Sequence, residues 1–364
     1  MPHPAFSTDY QTARAHFRSA TKAIPGAQLE SISYPAQGPS GEELTTDIAW
    51  LGPADATKVF VSVSGTHGIE GFCGSGAQID WLERGEAARL PEGAAAMLIH
   101  AINPYGFAWR RRVTHENVDL NRNWVDFPAP SARSSAYAEI AEFVCPPAWT
   151  ADARKQSQAR LQEYAAKHGF GRFVQVVSGG QHTHRDGLFY GGTEPTAARD
   201  ILTRILTERL ARARHVGIID YHSGLGPAGF GEMIASAPAG TPAFQRTRAW
   251  YGSNVRPIGT QGEEFAKVAG DWLSAAPNLL PHATVTGIAL EFGTVAPLEV
   301  LEALRADNWL HTRGDPTAPD AAAIKDQILK AFYTDDDVWR GMVLGQSLAA
   351  AKHAIAGLTL DSES

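Results

Sequence analysis

The stretch VFVSVSGTHGIEGFCGSG (59–76) decides the fold. Its first five residues are short, apolar and mostly β-branched, which predicts a buried strand. Ser64-Gly65 breaks the run, and a helical pattern takes over around Ala77 to Leu82. The same grammar recurs in AAMLIHAINP (95–104), HVGIIDYHSG (215–224) and VTGIALEFGT (285–294), each apolar until it stops at Asn-Pro, Ser-Gly or Gly-Thr. Helical stretches over 150–168 and 196–214 alternate with these strands. Alternation of this kind predicts an α/β fold, a twisted, mixed but mostly parallel sheet flanked by helices.

Working outward, the region 20–50, centred on ESISYPAQGPSGEELTTDIAW (30–50), predicts a β-hairpin that turns at Gly38-Pro39-Ser40-Gly41 and makes one edge of the sheet. Beyond Pro297 the chain is helical and Ala-rich over 298–306, 319–332 and 338–356, and it closes in a short acidic tail. No repeat, low-complexity linker or shift of composition marks a second unit. The expectation is one α/β domain over 1–364 with a helical C-terminal segment at 298–360.

Composition narrows the partners. With 364 residues, 44% of them hydrophobic, the chain can bury a sizeable core. A net charge of -7 without a run of Lys or Arg argues against a nucleic-acid footprint. Cys73 and Cys145 are the two cysteines, in no CxxC pairing, so neither a disulfide framework nor a cysteine metal site is expected. The first 22 residues lack the apolar core of a signal peptide, and no stretch approaches the roughly 20 apolar residues of a membrane span. These readings predict a soluble, cytoplasmic protein in a reducing compartment, and none of them sets its oligomeric state.

The residues that carry chemistry sit where the strands end. His67 and Glu70 follow the first strand, three apart in a tight loop. Taken singly such a pair says little, because thirteen His among many Glu produce about one by chance. The next strand opens NPYGFAWRRRVTHENVDLNRNW (103–124), which places Arg110, Arg111, Arg112, Asn121 and Arg122 beyond its end, cations suited to an anionic substrate group. His222 ends a third strand and Glu291 a fourth. In open α/β sheets ligands bind beyond the carboxyl ends of the strands, so these groups converge. Two imidazoles and a carboxylate, His67, His222 and Glu70, match the ligand set of a catalytic zinc whose fourth position takes water. Glu291 would serve as the base that takes a proton from that water and passes it to a leaving amine.

At these residues the chain resembles the M14 zinc-carboxypeptidase superfamily, and more narrowly its bacterial DUF2817-type branch. GTHGIEG, NPYGFAWRR, NVDLNRNW, DYHSG and EFGT carry the resemblance over about 60–295. It implies one zinc per chain on His67, Glu70 and His222, and Glu291 as general base. It also implies that Arg112 stabilises the oxyanion, that Asn121 and Arg122 hold a substrate carboxylate, and that Asp119 orients His67 from behind. The expected substrate is a small peptide or N-acyl amino acid with a free carboxylate. The expected activity is that of a metallocarboxypeptidase-like peptidase. The alternative is an N-acyl amino acid deacylase of the aspartoacylase or succinylglutamate desuccinylase group, which resembles the chain in GTHGxE, DLNR and a later His and Glu. That group carries a C-terminal β domain where this sequence reads as helices, which favours the peptidase. The Gly- and His-rich stretch VVSGGQHTHRDGLFYGGTE (176–194) is long for a plain connection and is expected to cover the site. Within it, His182 and His184 are expected to be ordinary loop histidines ahead of ligands to a second metal, and Phe189 a packing residue.

Overall fold

A computed structural model of the chain describes residues 4–127, 136–259 and 266–360, so the acidic tail lies outside the described residues. One eight-stranded sheet, in the order β1-β2-β4-β3-β5-β8-β6-β7, runs through it. The strands are β1 (Gln28–Gln37), β2 (Glu43–Leu51), β3 (Lys58–Val63), β4 (Ala94–His100), β5 (His215–Ala228), β6 (Gly231–Ala235), β7 (Arg256–Pro257) and β8 (Thr284–Gly293). β4, β3, β5 and β8 are mutually parallel and form the centre, while β1 and β2 add antiparallel strands at one side. The expected mixed, mostly parallel sheet is therefore present as a single α/β domain.

The hairpin β1-β2 stands at the sheet edge as its turn residues predict. Gly41 takes a φ of +77°, open to a residue without a Cβ, and its N–H closes the turn on the Gly38 carbonyl at 2.9 Å. Central strands are buried on both faces: Val59, Val61, Val63 and Ala95 to Ile99 are inaccessible. That is why these segments read as continuous apolar runs rather than alternating ones. β3 and β4 are parallel neighbours joined by the helix Gly71–Glu83, the crossover unit read from 59–76.

Helices Gly71–Glu83 and Asp337–Leu360 pack on β5, the latter also against the helix Pro242–Tyr251. Gly357 lets that last contact form, since a Cβ there would lie 2.1 Å from the Trp250 ring. The C-terminal segment is helical as expected, over Pro297–Thr312, Ala321–Phe332 and Asp337–Leu360. Three features depart from the sequence reading. β5 does not stop at Gly224 but runs on to Ala228, its pairing with β8 shifting register after Ser223. β6 and β7 leave no signal in the sequence, because the short, partly buried GEMIA and the two-residue RP carry almost no period. A helix, Tyr10–Lys22, precedes the hairpin, started by the Asp9 side chain accepting from Thr12 N–H. Among the described residues, no helix is long and apolar enough to cross a membrane.

Candidate functional site

Beyond the carboxyl end of β3 the chain turns through Ser64-Gly65-Thr66 and enters a short 3-10 turn, Gly68–Glu70. Gly68 is required by packing: a Cβ on it would sit 2.0 Å from the Gly106 carbonyl carbon. The Gly68 and Ile69 N–H groups bond to the Arg112 and Arg111 carbonyls at 3.1 and 2.7 Å, so the loops carrying the two candidate ligands and Arg112 are locked together. In the parallel pair β5-β8, His222 is the register partner of Glu291, which aims both side chains to the same face of the sheet.

His67, Glu70 and His222 each offer a donor atom within 4.8 Å of the others, and all three are buried. Among the described residues, no other group of three or more His, Cys, Asp or Glu could hold a metal ion. The Glu70 carboxylate joins the set, lying 2.9 Å from His67 Nδ1 through Oε1 and 2.8 Å from His222 Nδ1 through Oε2. Each imidazole is held from behind by a carboxylate: His67 Nε2 lies 3.2 Å from Asp119 Oδ1, and His222 Nε2 lies 2.7 Å from Asp220 Oδ2. The Nδ1 atoms are thereby the ones left facing the centre, the arrangement that fixes a ligand's tautomer and strengthens it.

The electrostatics fit a dication. Glu70, Asp119, Asp220 and Glu291 are all buried here, against the guanidinium groups of Arg112 and Arg122. With all four carboxylates ionised and both imidazoles neutral, two negative charges would be left over, and burying charge without a partner costs several kcal/mol per ion. A divalent cation held by neutral imidazoles would balance them. The titration of the site reports the same excess. Burial lowers the His222 imidazole, but Asp220 and Glu70 outweigh it and hold the ring well above its usual value. Burial and the charge of Glu70 push the Glu291 carboxyl up to about 8, against the pull of His222 and Arg112. Burial also pushes Glu70 up, but the two imidazoles win and hold it well below the carboxylate range.

The arginine cluster divides into different roles. Arg112 enters the site, its Nε donating to Asp119 Oδ2 at 2.9 Å and its Nη1 to Glu70 Oε1 at 3.1 Å. Arg111 does not: it is buried with its Nε on Asp307 Oδ2 at 3.0 Å and its Nη2 on Asn117 Oδ1 at 2.9 Å. Arg110 turns outward, with φ +50°, toward the Thr8 carbonyl and Asp326. Of these three consecutive cations, grouped in the sequence with Arg122 as suited to an anionic substrate, only Arg112 reaches the His67-Glu70-His222 group, because the other two are tied to the N- and C-terminal parts of the chain. Arg122 lies buried in the wall, donating to the Ser178 carbonyl from Nη2 at 2.6 Å and to the Asn121 carbonyl from Nη1 at 3.0 Å. Asn121 is half-buried beside it, its Oδ1 accepting from Trp272 N–H at 3.4 Å.

The stretch 176–194 begins in the helix Phe170–Ser178 and then folds over this wall. Phe189, at φ +51°, places its ring 5.3 Å from the guanidinium carbons of both Arg112 and Arg122, within cation–π range. His182 bonds through Nδ1 to the Gly192 carbonyl at 2.7 Å, and His184 packs its ring against Tyr137, so both serve the loop itself. Sequence reasoning passed over Asp220, although the pattern Asp-Tyr-His on a strand puts an acid and an imidazole two apart on one face and was there to be read.

No curated protein matches the chain. Solved structures similar to it include the carboxypeptidase A from Helicoverpa armigera, at 12% identity over 89% of this chain and 73% of that one, with a TM-score of 0.46. A metallo-carboxypeptidase from Burkholderia cenocepacia matches at 13% identity over 96% of this chain and 69% of that one, with a TM-score of 0.42. The succinylglutamate desuccinylase from Chromobacterium violaceum matches at 14% identity over 83% and 74%, with a TM-score of 0.38. The sequence model of the family described as "Protein of unknown function (DUF2817)" matches residues 6–346, and with nearly the whole described fold and every residue of the site inside that span, the chain belongs to the DUF2817 family.

Proposed function

We propose that this protein is a zinc-dependent hydrolase that cleaves an amide bond next to a free carboxylate, acting as a metallocarboxypeptidase-like peptidase with one zinc per chain. The observation that carries the proposal is the buried His67-Glu70-His222 set, both imidazoles backed by carboxylates, with Glu291 beside it on the neighbouring strand. Zinc bound there supplies Lewis acidity to a substrate carbonyl and to the attacking water.

The chain's own residues do the rest. Glu291 takes the proton of the attacking water and returns it to the leaving amine; burial and the charge of Glu70 both raise its carboxyl, and a cation bound at Glu70 would offset the second of these. Arg112, fixed by Asp119, meets the negative charge that builds on the carbonyl oxygen, a contact stronger in the transition state than in the ground state. Asp119 holds His67 as a ligand. Arg122 and Asn121 orient the substrate carboxylate. The segment that follows Glu291 in sequence forms helices and not the β domain that the deacylase resemblance implies, which favours the peptidase reading.

Elemental analysis before and after chelation, with short peptides and N-acyl amino acids assayed in both states, tests the proposal. About one zinc per chain is expected, with hydrolysis lost on chelation and restored by zinc. A protein that takes up no metal overturns the reading. Preference for the N-acyl amino acids would replace the peptidase by a deacylase working through the same residues.

Arg122→Ala checks the carboxylate clamp. Hydrogen bonds to charged groups contribute about 1.5–3 kcal/mol each, so KM for substrates with a free carboxylate is expected to rise by at least about tenfold. Carboxyl-amidated analogues should change little. An equal rise for both would remove Arg122 from substrate binding and leave it as the anchor of Ser178.

A further inference from the structure

Asp220 is buried to 1% exposure on β5, two residues before His222, and its carboxylate is saturated by donors from three parts of the chain. Oδ2 accepts from His222 Nε2 at 2.7 Å and from Trp272 Nε1 at 2.7 Å, while Oδ1 accepts from Thr66 Oγ1 at 2.8 Å. Trp272 is wholly inaccessible, and its backbone N–H reaches Asn121 Oδ1. Thr66 immediately precedes His67. The three donors therefore lead to His222, to the residue beside His67 and to the Asn121 wall.

We propose that Asp220 is a positioning residue for the metal centre, setting the ring orientation and the tautomer of His222 so that Nδ1 presents its lone pair. The inference rests on the zinc reading above and deepens it. Its logic is geometric. An imidazole has two nitrogens, and the one that donates to a carboxylate cannot also be a ligand. A carboxylate accepts only, so it forces the proton onto Nε2, whereas a carboxamide or a water could stand either way round. Trp272 and Thr66 supply donors that hold the carboxylate still. His67 has its own acid in Asp119, and that acid also carries Arg112. Among the described residues Asp220 accepts from no arginine, and its hydrogen bonds go to the ligand histidine and to the scaffold that orients it.

Zinc affinity measured by competition with a chromophoric chelator, on wild-type protein and on Asp220→Asn, tests this without reference to turnover. The amide keeps the volume but loses the charge and the acceptor-only character, so a dissociation constant weaker by about 10- to 100-fold is expected. The same variant loaded with cobalt(II) should give a visible spectrum displaced from that of the wild type, because one ligand sits differently. A wild-type protein that binds no zinc overturns the zinc reading itself. A wild type that binds zinc beside an Asp220→Asn variant within twofold of it, with an unchanged cobalt spectrum, overturns the positioning role alone. If Asp220→Asn does not fold, Trp272→Phe removes one donor from the carboxylate while keeping a ring in the core. It should weaken zinc by several-fold, and affinity equal to wild type would overturn the proposal.

Discussion

Replacing Glu291 with glutamine is expected to leave the zinc content unchanged and to cut turnover by about 10²- to 10⁴-fold, the range that general acid–base catalysis supplies. At roughly 1.4 kcal/mol per tenfold, this is about 3–5 kcal/mol of transition-state stabilisation. Glutamine keeps the size and the oxygen that accepts from Leu225 N–H at 3.2 Å, so the wall of the site should stand. What it loses is the ability to take a proton. The position of Glu291 supports the separation of roles: it pairs in register with His222 on the adjacent strand but stands apart from the three-residue set that could hold a metal. Elemental analysis and steady-state kinetics on the same preparation decide the matter. A variant with near-normal rate would reject Glu291 as the base, and one that also loses its metal would place Glu291 among the ligands.

The second large effect concerns the metal itself. His222→Ala removes one of three donors and leaves Asp220 and Glu70 without the ring between them. Zinc affinity is expected to fall by more than about 100-fold, beyond the loss typical of a residue that only supports a ligand, and hydrolysis should vanish with it. Thermal unfolding gives an independent reading. A ligand that binds only the folded state raises stability by RT ln(1 + [L]/Kd), about 2.7 kcal/mol when zinc is at 100 times Kd. Added zinc should therefore raise the wild-type Tm and leave that of His222→Ala unmoved. Full metal occupancy in the variant would take His222 out of the ligand set.

Much of this molecule is written locally. The strand-loop-helix grammar of 59–76 is a matter of side-chain period and glycine punctuation, so β3, the crossover helix and β4 follow from short-range chemistry. The hairpin at one edge follows from Gly38 and Gly41, and the helical C-terminal segment from its Ala-rich composition. His67, Glu70, His222 and Glu291 could be named because in a parallel sheet the carboxyl ends of the strands lie together, whatever the rest of the chain does.

Only the tertiary structure decided which neighbours in sequence share a fate. Arg110, Arg111 and Arg112 are consecutive and chemically identical, yet one points outward, one is buried against Asp307 and one enters the site. Arg111 and Asp307 are 196 positions apart, and no local pattern can announce a partner at that distance. The same holds for the Thr66 and Trp272 donors to Asp220, which lie 154 and 52 positions from it and reach it only when three segments pack, whereas its pairing with His222 is local. It holds for Phe189, whose ring reaches Arg112 and Arg122 by the path of a long loop. Periodicity and turn chemistry are properties of adjacent residues, so the sequence by itself determined the central parallel strands and the hairpin at the sheet edge, but not the extension of β5 or the short strands β6 and β7. Charge pairing and hydrogen-bond saturation act through space between distant segments, so only the folded chain decided which of the groups at those ends face the reaction and which hold the others in place.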